Sequence, residues 1–378
     1  MKIEQQYWDG IPESDTKKSH DPFDADLVLT FGARNLIEDE RSPAFLQSYY
    51  PGAHHIFCST SGEIFDNHVF DDSICSVAMS FDHTPIKIAQ TNVDDPANSY
   101  QAGVKLANEL NSSDLRHVLI FSDGQTVNGS QLTRALNKHL GGDIRVSGGL
   151  AGDADRFEKT VVGYNQLPES GVIVAVGFYG DHIRIESDSY GGWDVFGPER
   201  MVTKSKENIL YELDGKSALD LYKLYLGDAA EGLPASALLF PLSIKIPGQS
   251  EPIVRTILNI DEESKSMIFA GDLPEGSKAR LMKANFERLI EGAGRAAHSS
   301  TFHASGLQAD LALLISCVGR KLILGKRIEE EVERVIEQLP GKPVVAGFYS
   351  YGEIAPFNNE VGCEFHNQSM TVTLFTEL

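Results

Sequence analysis

Apolar positions from Ala25 onward follow two alternating rhythms. The runs ADLVLTFG (25–32), IFCST (56–60), SVAMSF (76–81), HVLIFSDG (117–124) and VIVAVGFYG (172–180) have the length and β-branched texture of buried strands. Between them, Ala102, Leu106, Ala107 and Leu110 recur at helical spacing over 99–110. Leu132, Leu136 and Leu140 do the same over 128–140, with Asn128 placed as N-cap. In the second half, ALLFPLSIK, PIVRTILNI, SMIFAG, ADLALLIS, VVAGFYS and MTVTLF predict strands. Helices are predicted over 286–298 and 328–339, the latter with Ile328, Val332, Val335, Ile336 and Leu339 on one face. Residues 1–24 are polar and predict a loosely held leader.

The two ends of the chain repeat one another. Ala25-Asp26-Leu27-Val28-Leu29 returns as Ala309-Asp310-Leu311-Ala312-Leu313, Pro51-Gly52 as Pro340-Gly341, and Gly62-Glu63-Ile64 as Gly352-Glu353-Ile354. Each copy then ends in a strand closing on Phe81 or Phe375. A weaker third echo runs through HVLIFSDG, helix 128–140, Gly141-Gly142, IRVSGGLAGD and VIVAVGF. The expected fold is mixed α/β, with two related lobes of mixed sheets around a pseudo-twofold axis and a cleft where ligand pockets preferentially form. The expected division is leader 1–24, one domain over 25–206 and a second over 207–378, with the junction within 197–230.

Composition narrows the function. The 378 residues carry 33 Lys plus Arg against 54 Asp plus Glu, a formal charge of −21, with no basic run to gather the cations. Such a surface repels phosphate backbones and anionic membranes. The first residues lack an apolar signal core, and no run approaches the ~20 apolar residues of a membrane span, so a cytoplasmic protein is expected. Cys58, Cys75, Cys317 and Cys363 are too scattered for a disulfide framework and read as reduced packing residues.

Several residues could carry chemistry. Glu63 and Glu353 each follow a glycine beside a buried strand, as polar anchors for a ligand or as carboxylates that tie off turn N–H groups. An acid–base hydrolase or transferase would need both within reach of one substrate. A Cys nucleophile, Cys58 near His54 and His55 or Cys317 beside Arg320, lacks any known catalytic signature. Gly148-Gly149-Leu150-Ala151-Gly152-Asp153 lacks the Lys and helix of a phosphate loop, and reads as a tight turn where backbone approaches a ligand or a neighbouring strand. The eleven histidines show no metal-ligand spacing; His298 and His303 have no third ligand beside them. Covalent haem is excluded by the absence of CxxCH, whereas non-covalent haem needs one axial His in an apolar pocket.

Taken in order, IFCSTSGEI, SDGQTVNGSQL, VSGGLAGDADRF, GGWDVFGPERMVT and YELDGKSALDLYKLYLGD resemble the FIST N-terminal domain. LISCVGRKLILG, GFYSYGEIAPF and CEFHNQSMTVTLF resemble the FIST C-terminal domain, so the resemblance spans about residues 25 to 378. Phe57 and Ser61 stand where the pattern commonly has Gly and Ala. The resemblance implies a non-enzymatic sensory protein of prokaryotic signal transduction that binds a small, amino-acid-like metabolite. It would signal to a separate partner such as a histidine kinase or a cyclic-di-nucleotide enzyme, with homo-oligomer formation left open. A branch of similar layout implies the alternative, a haem-binding nitric oxide sensor that regulates a histidine kinase. The family-pattern positions are Ser59, Thr60, Gly62, Glu63, Gly149, Asp153, Trp193, Asp214, Gly215, Arg320, Tyr351, Gly352, Glu353, His366 and Asn367. Of these, Thr60, Glu63, Arg320, Tyr351 and Glu353 are the expected ligand shell, a guanidinium for a carboxylate and carboxylates for an amine. His366 is the expected axial ligand if haem binds.

Overall fold

The computed structural model describes residues 1–12, 24–141, 144–249, 251–301, 307–356 and 362–378. Expectations placed on His303, Gly142 and leader residues 13–23 lie outside these. The first unit comprises β1 (Lys2–Trp8), β2 (Leu27–Gly32), α1 (Arg34–Ile37), α2 (Arg41–Tyr49), β3 (His54–Ser59), β4 (Glu63–Phe65), β5 (His68–Phe70) and β6 (Ile74–Ser80). The second comprises β7 (Ile86–Asn92), α3 (Ser99–Leu110), β8 (Leu115–Ser122), α4 (Gly129–His139), β9 (Arg145–Leu150), β10 (Val162–Tyr164) and β11 (Val172–Tyr179).

The third unit opens with β12 (Ile183–Tyr190) and is then interrupted by an insert. The insert holds β13 (Asp194–Lys206), β14 (Ile209–Leu213), β15 (Lys216–Ser217), α5 (Ala218–Leu226), β16 (Leu242–Lys245), β17 (Ile253–Arg255), β18 (Ile257–Asp261), β19 (Ser266–Phe269) and β20 (Lys278–Lys283). The unit resumes with α6 (Phe286–Ser300), β21 (Leu311–Cys317), α7 (Val318–Leu324), α8 (Ile328–Gln338), β22 (Val344–Ser350), β23 (Gly352–Ala355), β24 (Glu364–His366) and β25 (Met370–Glu377). The fold is mixed α/β, as the sequence predicts.

The repeat is real, and it extends beyond a pair. In each unit a strand runs parallel to the next long strand and antiparallel to the unit's last: β2 with β3 and β6, β8 with β9 and β11, β21 with β22 and β25. The weak third echo is thus a full third unit. Each unit also lends a short arm to its neighbour's sheet: β4 pairs β22, β23 pairs β9, and β10 pairs β3. These exchanges close a ring of three in place of the expected pseudo-twofold pair. A glycine with positive φ follows the helix before the second long strand each time, Gly52 (93°), Gly141 (85°) and Gly341 (81°).

The inner faces of the three sheets share one apolar core. At its centre Phe31 stacks on Phe348 at 4.8 Å and meets Phe121 at 5.8 Å, one ring from each unit. The outer faces bury the helices, α3 and α4 on the second sheet, α6 and α8 on the third. Arm and receiving strand are matched in size. Ile354 lies opposite Gly148 and Ile64 opposite Gly347, whereas Phe57 lies opposite Gly163. Opposed residues share a face at close range, so one large and one small side chain fill each position. Phe57 is accommodated because β10, the arm its strand receives from the second unit, supplies Gly163.

Several expectations are corrected. Residues Lys2–Trp8 of the leader form an edge strand in register with Ser80–Ile74 of β6, with Tyr7 packed on Phe70 at 4.4 Å and Trp8 buried. The glycine cluster at 148–149 is strand rather than turn; Gly148 has φ 145° and lies hard against the Ile120 carbonyl of β8. It is the neighbouring strand that makes the close approach. The insert has its own eight-stranded antiparallel sheet and its own core. Among the described residues no helix is long and apolar enough to cross a membrane.

Candidate functional site

The two Gly-Glu turns build the same object twice. Glu63 accepts from the Thr60 hydroxyl, and its second oxygen accepts from Ser73 Oγ (2.6 Å) and Ser73 N (3.3 Å). Glu353 accepts from Ser350 Oγ (2.7 Å), Ser369 Oγ (2.8 Å) and Ser369 N (3.2 Å). Each carboxyl joins the end of a long strand, its own arm and the entry to the unit's last strand. Both are fully buried. Desolvation pushes Glu63 up to about 7 and Glu353 up to about 8, against the opposing pull of these hydroxyl donors. The turn-tying role is the one the geometry supports, since neither carboxyl presents an open face to a substrate.

This burial has a pH signature. Unfolded, each carboxyl titrates near ~4.3. Folded, each holds its proton to higher pH, so its contribution to stability is complete below the unfolded value. It is lost as pH rises through about 7 for Glu63 and about 8 for Glu353. A Glu63→Gln, Glu353→Gln double variant is expected to flatten the fall in Tm between about pH 4 and pH 8. An unchanged slope in thermal melts would show that the folded carboxyls are already ionised.

Tyr351 also works within the scaffold. Its hydroxyl accepts from Phe157 N (3.1 Å) and donates to Ala154 O (3.3 Å), and its ring stacks on Phe157 at 4.6 Å. Asp153 is held by Arg34 (3.0 Å) and Arg156 (2.7 Å), and Gly152 N donates to Ser59 O at 2.8 Å. The structure therefore brings Thr60, Tyr351 and the 152–157 loop together at one end of the ring, where the arms cross.

Arg320 does not hold a ligand carboxylate. It is wholly buried, with Nε 2.8 Å and Nη2 2.7 Å from Glu331 Oε2, and its remaining donors on the carbonyls of Gly191 (2.5 Å), Gln368 (3.3 Å) and Leu289 (2.7 Å). Every donor of the guanidinium is taken. All four cysteines are buried and reduced, with thiols pushed up by desolvation, which removes the nucleophile reading.

Open space lies elsewhere, at the seam between insert and ring. The larger cavity, about 460 Å³, is bounded by α4, the insert and Glu364 of β24. Asp272 bolts the insert to the start of α4, accepting from Asn128 Nδ2 (3.1 Å), Gln131 Nε2 (3.2 Å) and Arg134 Nη2 (3.3 Å). Beside it stands Arg255, only 2% exposed. Its hydrogen bonds run to carbonyls alone, of Phe365 (2.7 Å), Asp272 (3.2 Å) and Val254 (3.4 Å), and no carboxylate among the described residues pairs with it. Burial lowers it to about 10, despite the fields of Glu364 and Asp272. Gln249 donates to Glu364 at 2.9 Å and leaves its own Oε1 buried without a partner. Sequence reasoning missed Arg255. The available signal was a cation in the inward register of Ile253, Arg255 and Ile257 in PIVRTILNI.

His366 borders a smaller cavity, of about 200 Å³. Its Nε2 lies 3.2 Å from Ala355 O, and burial lowers it to about 4. Pockets for drug-sized ligands run to roughly 300–1,000 Å³, and a porphyrin is larger than most such ligands. The residues around His366 do not fit haem. Added hemin is expected to give no stoichiometric Soret band; a band that His366→Ala removes would contradict that.

Matches to known families agree with this architecture. A FIST N domain model matches residues 26–216 and a FIST C domain model matches 218–356, with their junction inside the insert at the start of α5. No curated protein matches the chain. With nearly all of its length covered by the two matches in tandem, the chain belongs to the FIST family.

Proposed function

We propose that this protein is a small-ligand sensor of signal transduction that binds an amino-acid-like metabolite in the larger seam cavity and signals to a separate partner such as a histidine kinase. FIST domains are small-ligand sensory domains, which sets the class. The observation that carries the site is Arg255, a buried guanidinium that no carboxylate among the described residues pairs with, on the wall of a cavity of ligand size. A buried charge favours an anionic partner strongly, and a ligand carboxylate supplies one. The Glu364 carboxylate and the partnerless Gln249 Oε1 form the acceptor side, suited to an ammonium. The zwitterion chemistry expected from the sequence is thus retained, with Arg255 in place of Arg320. A ligand there touches ring and insert together, so occupancy stiffens the seam and alters the face a partner reads.

A thermal-shift screen of amino acids tests this reading. A ligand at a hundredfold excess over Kd stabilises by ~2.7 kcal/mol. Arg255→Gln is expected to weaken the best ligand more than tenfold, because the carboxylate loses its buried partner. The reading fails if no amino acid shifts the melt, or if Arg255→Gln binds as well as wild type.

A further inference from the structure

The smaller cavity offers different chemistry. It lies between the turn after β24, the end of β12 and the β17 edge of the insert, and Trp193, Ile253 and Met282 form its apolar walls. Asn367 lines it with a side chain only 1% exposed, and neither the Nδ2 nor the Oδ1 atom has a hydrogen-bond partner. The neighbouring polar groups are already engaged. Ser189 Oγ donates to Ser369 Oγ (2.9 Å), Ser369 Oγ to Glu353 (2.8 Å), and Trp193 Nε1 to the Gln368 carbonyl (2.9 Å). The last bond, with Arg320 on the same carbonyl and Glu353 on Ser369 N, pins the backbone on the C-terminal side of Asn367. Asn367 is therefore held facing the cavity.

We propose that this cavity is a second binding site, for a small, uncharged, planar molecule that presents a hydrogen-bond donor beside an acceptor, read by the Asn367 amide. A buried amide with both groups unmet is destabilising, since each has lost the bonds it made to water. A primary carboxamide or the edge of a nitrogen heterocycle matches donor to acceptor and acceptor to donor, as asparagine matches the adenine edge. Charge selects against an anion: among the described residues no lysine or arginine lines the cavity, the Glu251 carboxylate does, and burial keeps His366 neutral. A volume of about 200 Å³ admits a single ring, against the apolar face of Trp193. This site is distinct from the Arg255 cavity in position and chemistry, so either can fail alone.

Nicotinamide is the probe, titrated into the full chain by calorimetry and by NMR of the Trp193 indole N–H, assigned with Trp8→Phe. Wild type is expected to bind one equivalent saturably and to shift the Trp193 resonance. Asn367→Leu removes two unmet polar atoms, so it is expected to be at least as stable while losing affinity more than tenfold. Arg255→Gln is expected to bind nicotinamide as wild type does. The proposal is overturned if wild type shows neither heat nor a Trp193 shift, which leaves water as the only occupant. It is equally overturned if Asn367→Leu binds undiminished, or if affinity is lost in Arg255→Gln and kept in Asn367→Leu. Should Asn367→Leu not fold, the wild-type Trp193 shift decides.

Discussion

Arg320→Ala is expected to destabilise the protein by about 3–5 kcal/mol, because removing one partner of a buried pair strands the other charge. Glu331 would remain wholly buried, with Ser316 Oγ (2.7 Å) and the Tyr349 hydroxyl (3.4 Å) as its donors among the described residues. The carbonyls of Gly191, Gln368 and Leu289 would also lose their shared donor. These come from the β12 exit, the β24–β25 turn and α6, so one side chain ties three segments of the third unit. Urea denaturation measures the loss. A further Glu331→Leu change should recover part of it, since an apolar replacement of both partners is far less costly than an orphaned charge. A variant that keeps its stability while losing affinity for a carboxylate ligand would return Arg320 to the binding site.

The second large effect is expected at the carboxyl clasps. Glu353→Ala leaves Ser369 Oγ and Ser369 N without their acceptor, leaves Ser350 Oγ only the Ser316 carbonyl (3.3 Å), and opens a void. Buried orphans cost about 1–3 kcal/mol each, and the cavity adds to that, so a loss on the order of 3 kcal/mol is expected. Glu63→Ala should behave alike, because Thr60 and Ser73 repeat the arrangement. Glu353→Gln offers an amide oxygen to Ser369 and an NH₂ to Ser350, and should retain most of the stability near pH 7. Equal stability of the alanine and glutamine variants in denaturant titrations would show that the clasp holds nothing.

The readability of this sequence followed distance along the chain. Helices 99–110 and 128–140, and Asn128 as a cap accepting from Gln131 N at 3.0 Å, rest on neighbours within a few turns, and they appear as expected. The repeat was legible because its signature residues recur in order. That Ile64 and Ile354 leave their own units was not legible, because pairing with β22 and β9 is decided across hundreds of residues. Strands β1, β7 and β13 were missed because edge and insert strands alternate polar with apolar residues and lack a buried run.

The motifs misdirected the site for a related reason. Thr60, Glu63, Tyr351 and Glu353 mark where the arms cross, and their polar atoms are satisfied by one another, by the hydroxyls of Ser73, Ser350 and Ser369, or by backbone. In this chain these motifs therefore mark the ring's closure. Arg320, followed by Lys321, and Arg255 both stand among apolar residues in the sequence. Only the fold places Glu331 against the first and leaves the second facing a cavity.

The central claim, that the ligand sits at the seam and not at the clasps, is tested most directly by amide hydrogen exchange with and without the amino acid that stabilises the protein best. Occupancy at Arg255 predicts added protection in α4, in 253–255 and in 364–366. Protection confined to 60–63 and 350–353, with the seam unchanged, would contradict the account and move the site back to the Gly-Glu turns.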